Sequence, residues 1–378
     1  MTRLRAFVRS RPRLFGSLVP IAAVVVALIV GAMILLRLDA SPVEAFTSMM
    51  DGAFGSGTAL MNTAIKATPL LFVGAGIVIA FRANVINIGG EGQMVSGALL
   101  ATTVALVMPE WPAIIALPTV LLAGIVGGAI WGAIPGALKA YYGVNEILST
   151  IMLNVVAVQL MNFLLRGPLI DPAEIERGTR IPQTERLMDS VDLPHLVGKL
   201  HIGPLLAVLA AIGTYILMWR TPIGYRIRAV GLSRDASRYA GIGVRKTIVL
   251  AMTLSGALCG LAGAVLVFGS ESLRMVTDGS TAGFTGSAGF NGIVAALFGG
   301  LHAIWTIPAS FLFGGLLVGG LAMQRAVQVP SALILALNGL VVVFVVSSDR
   351  LRRGLLERGG RDAVERIDDR TPVVVGDG

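Results

Sequence analysis

Residues 111–138 read WPAIIALPTVLLAGIVGGAIWGAIPGAL, without one charged side chain. A helix rises about 1.5 Å per residue, so about 20 apolar residues cross the hydrocarbon layer of a bilayer, and this stretch exceeds that length. Within it Gly124, Gly128, Gly132 and Gly136 recur at every fourth position. That spacing sets the four on one helical face, where missing side chains let another backbone come close. The stretch predicts a membrane-spanning helix pressed against a second one.

Further charge-free windows lie on both sides, at 14–36, 92–109, 147–165, 202–219, 247–270, 279–324 and 326–348. Residues 59–81 are apolar apart from Lys66. The window 279–324 is 46 residues long, room for two crossings joined near 299–302. The fold class expected is therefore all-α: a polytopic membrane helix bundle of about ten transmembrane helices with glycine-broken segments. Composition agrees: of 378 residues 55% are hydrophobic and only 14% charged, against about 25% charged in an ordinary soluble domain. The first window follows Arg3, Arg5, Arg9, Arg11 and Arg13 and is 23 residues long. It exceeds a usual signal core and lacks a clear small-x-small cleavage site, so a retained helix is expected.

The net charge of +8 does not point to nucleic acid, because the basic residues sit beside apolar segments, as the positive-inside bias requires. With the N-terminal arginines cytoplasmic and ten alternating crossings, residues 166–201 fall outside, carrying six acids against five bases. Residues 220–246 fall inside, with seven bases against Asp235 alone. Both termini are then cytoplasmic. The division expected is a basic N-terminus at 1–13, a transmembrane permease domain at 14–348, and a polar tail at 349–378. The tail lacks the apolar period needed to pack a core and is expected to be largely disordered.

One cysteine, Cys259, excludes an internal disulfide, and His195, His201 and His302 have no ligand spacing, so neither metal nor another cofactor is expected. The phosphate-binding pattern G-x-x-x-x-G-K-[ST] is not completed at Lys66, Lys139, Lys199 or Lys246. The chain has no ATP-hydrolysing loop of that type of its own.

Polar groups inside a bilayer are costly and mark cavities or bundle interiors, and three stretches carry them. In FRANVINIGGEGQMVSGALLA, residues 81–101, Asn84, Asn87, Glu91 and Gln93 surround Gly89, Gly90 and Gly92. Glycines at this density disfavour a continuous helix, and broken backbone is tolerated at membrane depth where protein or a cavity covers it. In VNEILSTIMLN, residues 144–154, Asn145 and Glu146 open a span and Asn154 lies two turns in. Glu146 there reads either as an acid at the positive end of a helix dipole or as an intramembrane ionisable site. In TPIGYRIRAVGLSRDASRYAGIGV, residues 221–244, Ser233 can cap a short helix over 234–240 and Gly241 can end it. Ala229, Ala236 and Tyr239 give that loop contact surface, which suits a docked partner or anionic lipid.

At these motifs the sequence resembles the permease subunits of ABC importers, in the branch with ribose-type and branched-chain amino acid permeases. GYRIRAVGLSRDASRYAGI, residues 224–242, is similar to the family's coupling loop, whose short helix fits a groove in a cytoplasmic ATPase subunit. NVINIGGEGQM, residues 84–94, resembles nucleoside importer permeases that work with a binding lipoprotein of the basic-membrane-protein type. GSAGFNGIVAALFGG, residues 286–300, looks like the family's second glycine-rich break. The resemblance runs from about residue 59 to residue 348.

The resemblance implies a permease subunit in a bacterial cytoplasmic membrane. Its partners would be ABC ATPase subunits, a second and unlike homologous permease, an external substrate-binding lipoprotein and membrane lipid. The ATPase-coupling loop would comprise Gly224, Arg226, Arg228, Gly231, Ser233, Asp235, Ala236, Tyr239 and Gly241. Candidates along the solute path are Asn84, Asn87, Glu91, Gln93 and Asn291, with Phe290 as a stacking surface for a base. A simple sugar is the alternative solute. The alternative mechanisms are an ion-coupled transporter using Glu91 and Glu146, and a scaffold that carries nothing.

Overall fold

The computed structural model describes residues 25–26, 29–280, 283–329 and 339. The N-terminus 1–13, most of the first window, the greater part of the last one and the tail 349–378 lie outside the described residues. The chain divides into two compact units, residues 50–319 and residues 1–49 with 320–378.

A helical stretch at 29–37 precedes α1 (Pro42–Phe54), α2 (Gly57–Arg82), α3 (Gly90–Val107), α4 (Ala113–Tyr142) and α5 (Glu146–Arg166). A short α6 (Pro172–Glu176) and a hairpin of β1 (His195–Val197) and β2 (Leu200–His201) follow. Then come α7 (Gly203–Arg220), α8 (Pro222–Leu232), α9 (Arg234–Tyr239), α10 (Val244–Phe268), α11 (Ala288–Phe298) and α12 (Ala303–Val327). Among the described residues, α2, α4, α5, α7, α10 and α12 are long and apolar enough to cross a membrane. Among the described residues the chain is thus an all-α membrane helix bundle apart from one small hairpin.

The 46-residue window departs from the two full crossings expected of it. It yields the 25-residue α12 and an α11 of only 11 residues. Gly286 and Ser287 before α11 and Gly300 after it have φ of +60°, +61° and +64°, a left-handed backbone that no helix continues through. At about 1.5 Å per residue, α11 reaches about halfway across a bilayer.

In the unit 50–319, α10 packs against α4, α3 and α2, while α7 and α11 lie on α2. Helix α2 is apolar on every side and its residues from Ala67 to Ala80 are all buried, the behaviour of a helix at the centre of a bundle. The glycine face of α4 meets glycines of α10. A Cβ on Gly128 would run into the backbone of Gly256 and Gly260, and one on Gly132 would sit 2.6 Å from the Met252 carbonyl oxygen. Residues 166–201 fold against 268–277 through backbone bonds, Leu193 N–H to Phe268 O at 2.9 Å and Thr184 N–H to Met275 O at 3.0 Å. The buried Asp171 closes this lobe by pairing with Arg274 at 2.5 Å. In the other unit Leu35, Ala45, Met323 and Val329 are buried together.

Candidate functional site

Helix α2 stops at Arg82, the chain passes through seven non-helical residues, and α3 begins at Gly90. Asn84 takes φ +55° in that break, a conformation Asn tolerates better than most residues. The amides that make the sequence look polar here complete the broken backbone. Asn87 Oδ1 accepts the Gly89 N–H at 2.9 Å, and its Nδ2 donates to Gln93 Oε1 at 3.0 Å and to Ser255 Oγ at 2.9 Å. From α5, Asn154 accepts the Gly92 N–H at 2.8 Å and donates to the Ile88 carbonyl at 3.0 Å.

Glu91 joins this break to the second one. Its carboxylate accepts the Thr285 hydroxyl and, at 3.3 Å, the Phe290 N–H in the first turn of α11. An acid at a helix N-terminus offsets the partial positive charge of its unpaired N–H groups. Gly289 permits the approach, since a Cβ there would lie 2.5 Å from the Glu91 nitrogen.

Of the solute-path candidates, Asn87, Glu91 and Gln93 are therefore buried and engaged with one another or with neighbouring chain. Phe290 is exposed and Asn291 is half-buried on α11. Asn84 stands apart from them. It is exposed, and its carbonyl accepts Arg234 Nη2 at 3.3 Å, which places it under α9 (Arg234–Tyr239).

The candidate coupling loop holds two helices rather than one. Thr221 caps α8 by accepting the Gly224 N–H at 3.2 Å, and Ser233 caps α9 by accepting the Ala236 N–H at 3.2 Å. Gly241, at φ +77°, ends the turn after α9. The short helix falls where the sequence puts it, one residue shorter, while α8 is additional; its signal was the Thr221-Pro222 pair, a cap followed by proline at the first helical position. Gly224 and Gly231 are pressed against other backbone, Gly224 on Leu217 and Met218, Gly231 on the Arg82 carbonyl. Arg226, Ser233, Asp235, Ala236, Tyr239 and Gly241 face outward. So does Leu232, which is 90% exposed, beside Tyr239 at 94%.

Beneath α8 lies a cluster the sequence did not single out. The Trp219 ring has the Arg82 guanidinium 5.4 Å and the Arg228 guanidinium 6.0 Å from its centroid. The His302 and Tyr215 rings lie 4.7 and 5.4 Å from the same indole. Arg82 Nε also donates to the Leu301 carbonyl at 3.0 Å. Cation–π and ring contacts thus tie α8, the end of α2 and the α11–α12 turn into one group. Only Trp219 beside Arg220, an aromatic at a span's polar end, could have flagged it.

At the turn between α4 and α5, Asn145 caps α5 through the Ile147 N–H at 2.9 Å, and Glu146 pairs with Lys139 at 2.7 Å. Glu146 therefore fastens two spans together.

A model of the branched-chain amino acid transport system permease component matches residues 59–346. The chain is 35% identical to the guanosine ABC transporter permease protein NupP of Bacillus subtilis over 356 residues, 92% of this chain and 99% of that protein. It is 34% identical to the glucose ABC transporter permease protein TsgB13 of Haloferax volcanii over 361 residues, 91% and 92% of the two chains. With the nucleoside ABC transporter permease protein NupB of Lactococcus lactis it shares 30% identity over 335 residues, 87% and 90% of the two.

Proposed function

The chain belongs to the branched-chain amino acid transport system permease-component family, a transport subunit and not an enzyme, and we propose that it carries nucleosides for an ATP-driven importer. The observation that carries the reading is the motif pair, NVINIGGEGQM at 84–94 with the capped helices of 221–241, in a chain aligned over almost its whole length with guanosine and nucleoside permeases.

In this reading a cytoplasmic ABC ATPase receives Leu232, Tyr239 and the surrounding basic residues in a groove. ATP binding there moves α8 and α9, and the motion passes through Gly231 and Trp219 to both glycine breaks. The bundle rocks about these breaks and opens to each side in turn. The ten crossings of this reading are the six long helices, α3, the stretch 279–302 of which α11 forms about half, and the windows 14–36 and 326–348. Both termini are cytoplasmic, 166–201 meets an external binding lipoprotein, and a second, unlike permease completes the path. Phe290 and Asn291, the candidates carried by α11, line it.

Glucose is the second reading, favoured by the similarity to the haloarchaeal glucose permease. The discriminating experiment deletes this chain's gene and measures entry of labelled guanosine and labelled glucose. Loss of guanosine entry alone, restored by the gene, supports the proposal; loss of glucose entry alone replaces it with the second reading.

A further inference from the structure

The last two turns of α5 carry Gln159, Asn162, Phe163 and Arg166, spaced so that all four share one face. With Gly167 and Gly279 they line an open, shallow cavity of about 570 Å³. The cavity lies at the far end of α5 from Glu146 and the coupling segment.

Elsewhere the exposed face of α5 is apolar, with Leu148, Ile151, Met152, Val155, Val156 and Leu160. Amides on such a face are costly against lipid, so a face that changes here from aliphatic to amide, aromatic and guanidinium meets something polar. Its geometry is set in advance. Asn162 Oδ1 accepts the Thr277 hydroxyl at 3.0 Å, while its Nδ2 donates to the Gly279 carbonyl and to Gln159 Oε1, both at 3.3 Å. That last bond turns the donor end of the Gln159 amide away from Asn162. Phe163 is 68% exposed, an uncovered aromatic face beside these donors.

We propose that this cavity is a solute site at the outer mouth of the path, taking a nucleoside with its base on the Phe163 ring and its polar edges on Gln159 and Arg166. A planar base offers the face an aromatic ring stacks on, and base carbonyls and ribose hydroxyls accept from amide and guanidinium N–H groups. The inference rests on the nucleoside reading above and adds the residues that contact the solute. It also places first contact away from Asn87, Glu91 and Gln93, which are buried and hydrogen-bonded at the two breaks.

The test uses the assembled importer in vesicles, with Phe163→Ala, Gln159→Ala and Phe163→Trp. Phe163→Ala is expected to raise the guanosine concentration for half-maximal uptake about tenfold, in the range measured for lost base–aromatic stacking. Gln159→Ala gives a smaller rise, and Phe163→Trp, which keeps a ring, uptake near that of the unaltered chain. ATP hydrolysis without solute is unchanged throughout. Guanosine uptake equal to the unaltered importer's in both alanine variants overturns this inference alone; absence of guanosine uptake by the unaltered importer overturns the nucleoside reading and this inference with it.

Discussion

Gly231 of α8 lies directly against the carbonyl oxygen of Arg82, the last residue of α2, with no room for a methyl group between them. The contact binds α8, which the proposed mechanism offers to the ATPase, to the helix at the centre of the bundle. Gly231→Ala is predicted to push α8 off α2 while leaving the spans inserted. Uptake should fall about tenfold or more, the scale of about 1.4 kcal/mol of coupling, while ATP hydrolysis persists. Measuring hydrolysis and uptake on one vesicle preparation checks it; equal uptake would detach Gly231 from coupling.

The Trp219 indole gathers Arg82, Arg228 and His302. A cation–π contact contributes about 0.5–2 kcal/mol, so Trp219→Ala should lower the ratio of solute moved to ATP hydrolysed several-fold. Trp219→Phe, which retains a ring face, should restore most of it. Equal loss in both variants would mean that the bulk of the indole, and not its face, is what matters.

Glu91 separates the ATP-driven mechanism from an ion-driven one. Glu91→Gln keeps an oxygen to accept from Thr285 or the Phe290 N–H, whereas Glu91→Leu leaves the buried Thr285 hydroxyl and the part-buried Phe290 N–H without it, at about 1–3 kcal/mol for the buried donor. The leucine variant should therefore melt at lower temperature in detergent, and the glutamine variant should keep most of its uptake. Stable protein with no uptake after Glu91→Gln would instead assign the carboxylate a proton- or ion-carrying role.

The lobe 166–201 has a pH dependence of known sign. The Arg274 guanidinium paired with Asp171 holds its carboxyl below the ordinary carboxylate range, with the Ala173 N–H adding to the effect. A lowered folded-state value contributes stability that is complete above the unfolded value, about 3.9, and is lost as pH falls through the folded one. Protease resistance of the lobe should accordingly hold at pH 5–7, decline only in stronger acid, and lose this acid limb in Asp171→Asn. A decline centred at neutral pH would locate the sensitive group elsewhere.

Much of this was legible in the sequence for identifiable reasons. Glycines 124, 128, 132 and 136 announced a close helix pair because four-residue spacing fixes a face, and Gly256 and Gly260 supplied the other side. Ser233 and Gly241 bounded α9 because capping is local chemistry. The shortness of α11 was hidden, since a charge-free run does not record where left-handed residues interrupt it. The role of Asn87 and Gln93 was equally hidden: a polar side chain in a span reads the same whether it meets a solute, a hydroxyl 168 residues away or an amide six residues away. The Trp219 cluster brings together residues near 82, 219, 228 and 302, a proximity that only folding creates.

The most direct measurement is uptake of labelled guanosine by sealed vesicles holding this chain with its ATPase, second permease and binding protein, with and without ATP. The account predicts uptake that requires ATP, survives collapse of the proton and sodium gradients, and is blocked by unlabelled nucleosides but not by glucose or leucine. Uptake that proceeds without ATP and stops with the gradients would contradict it.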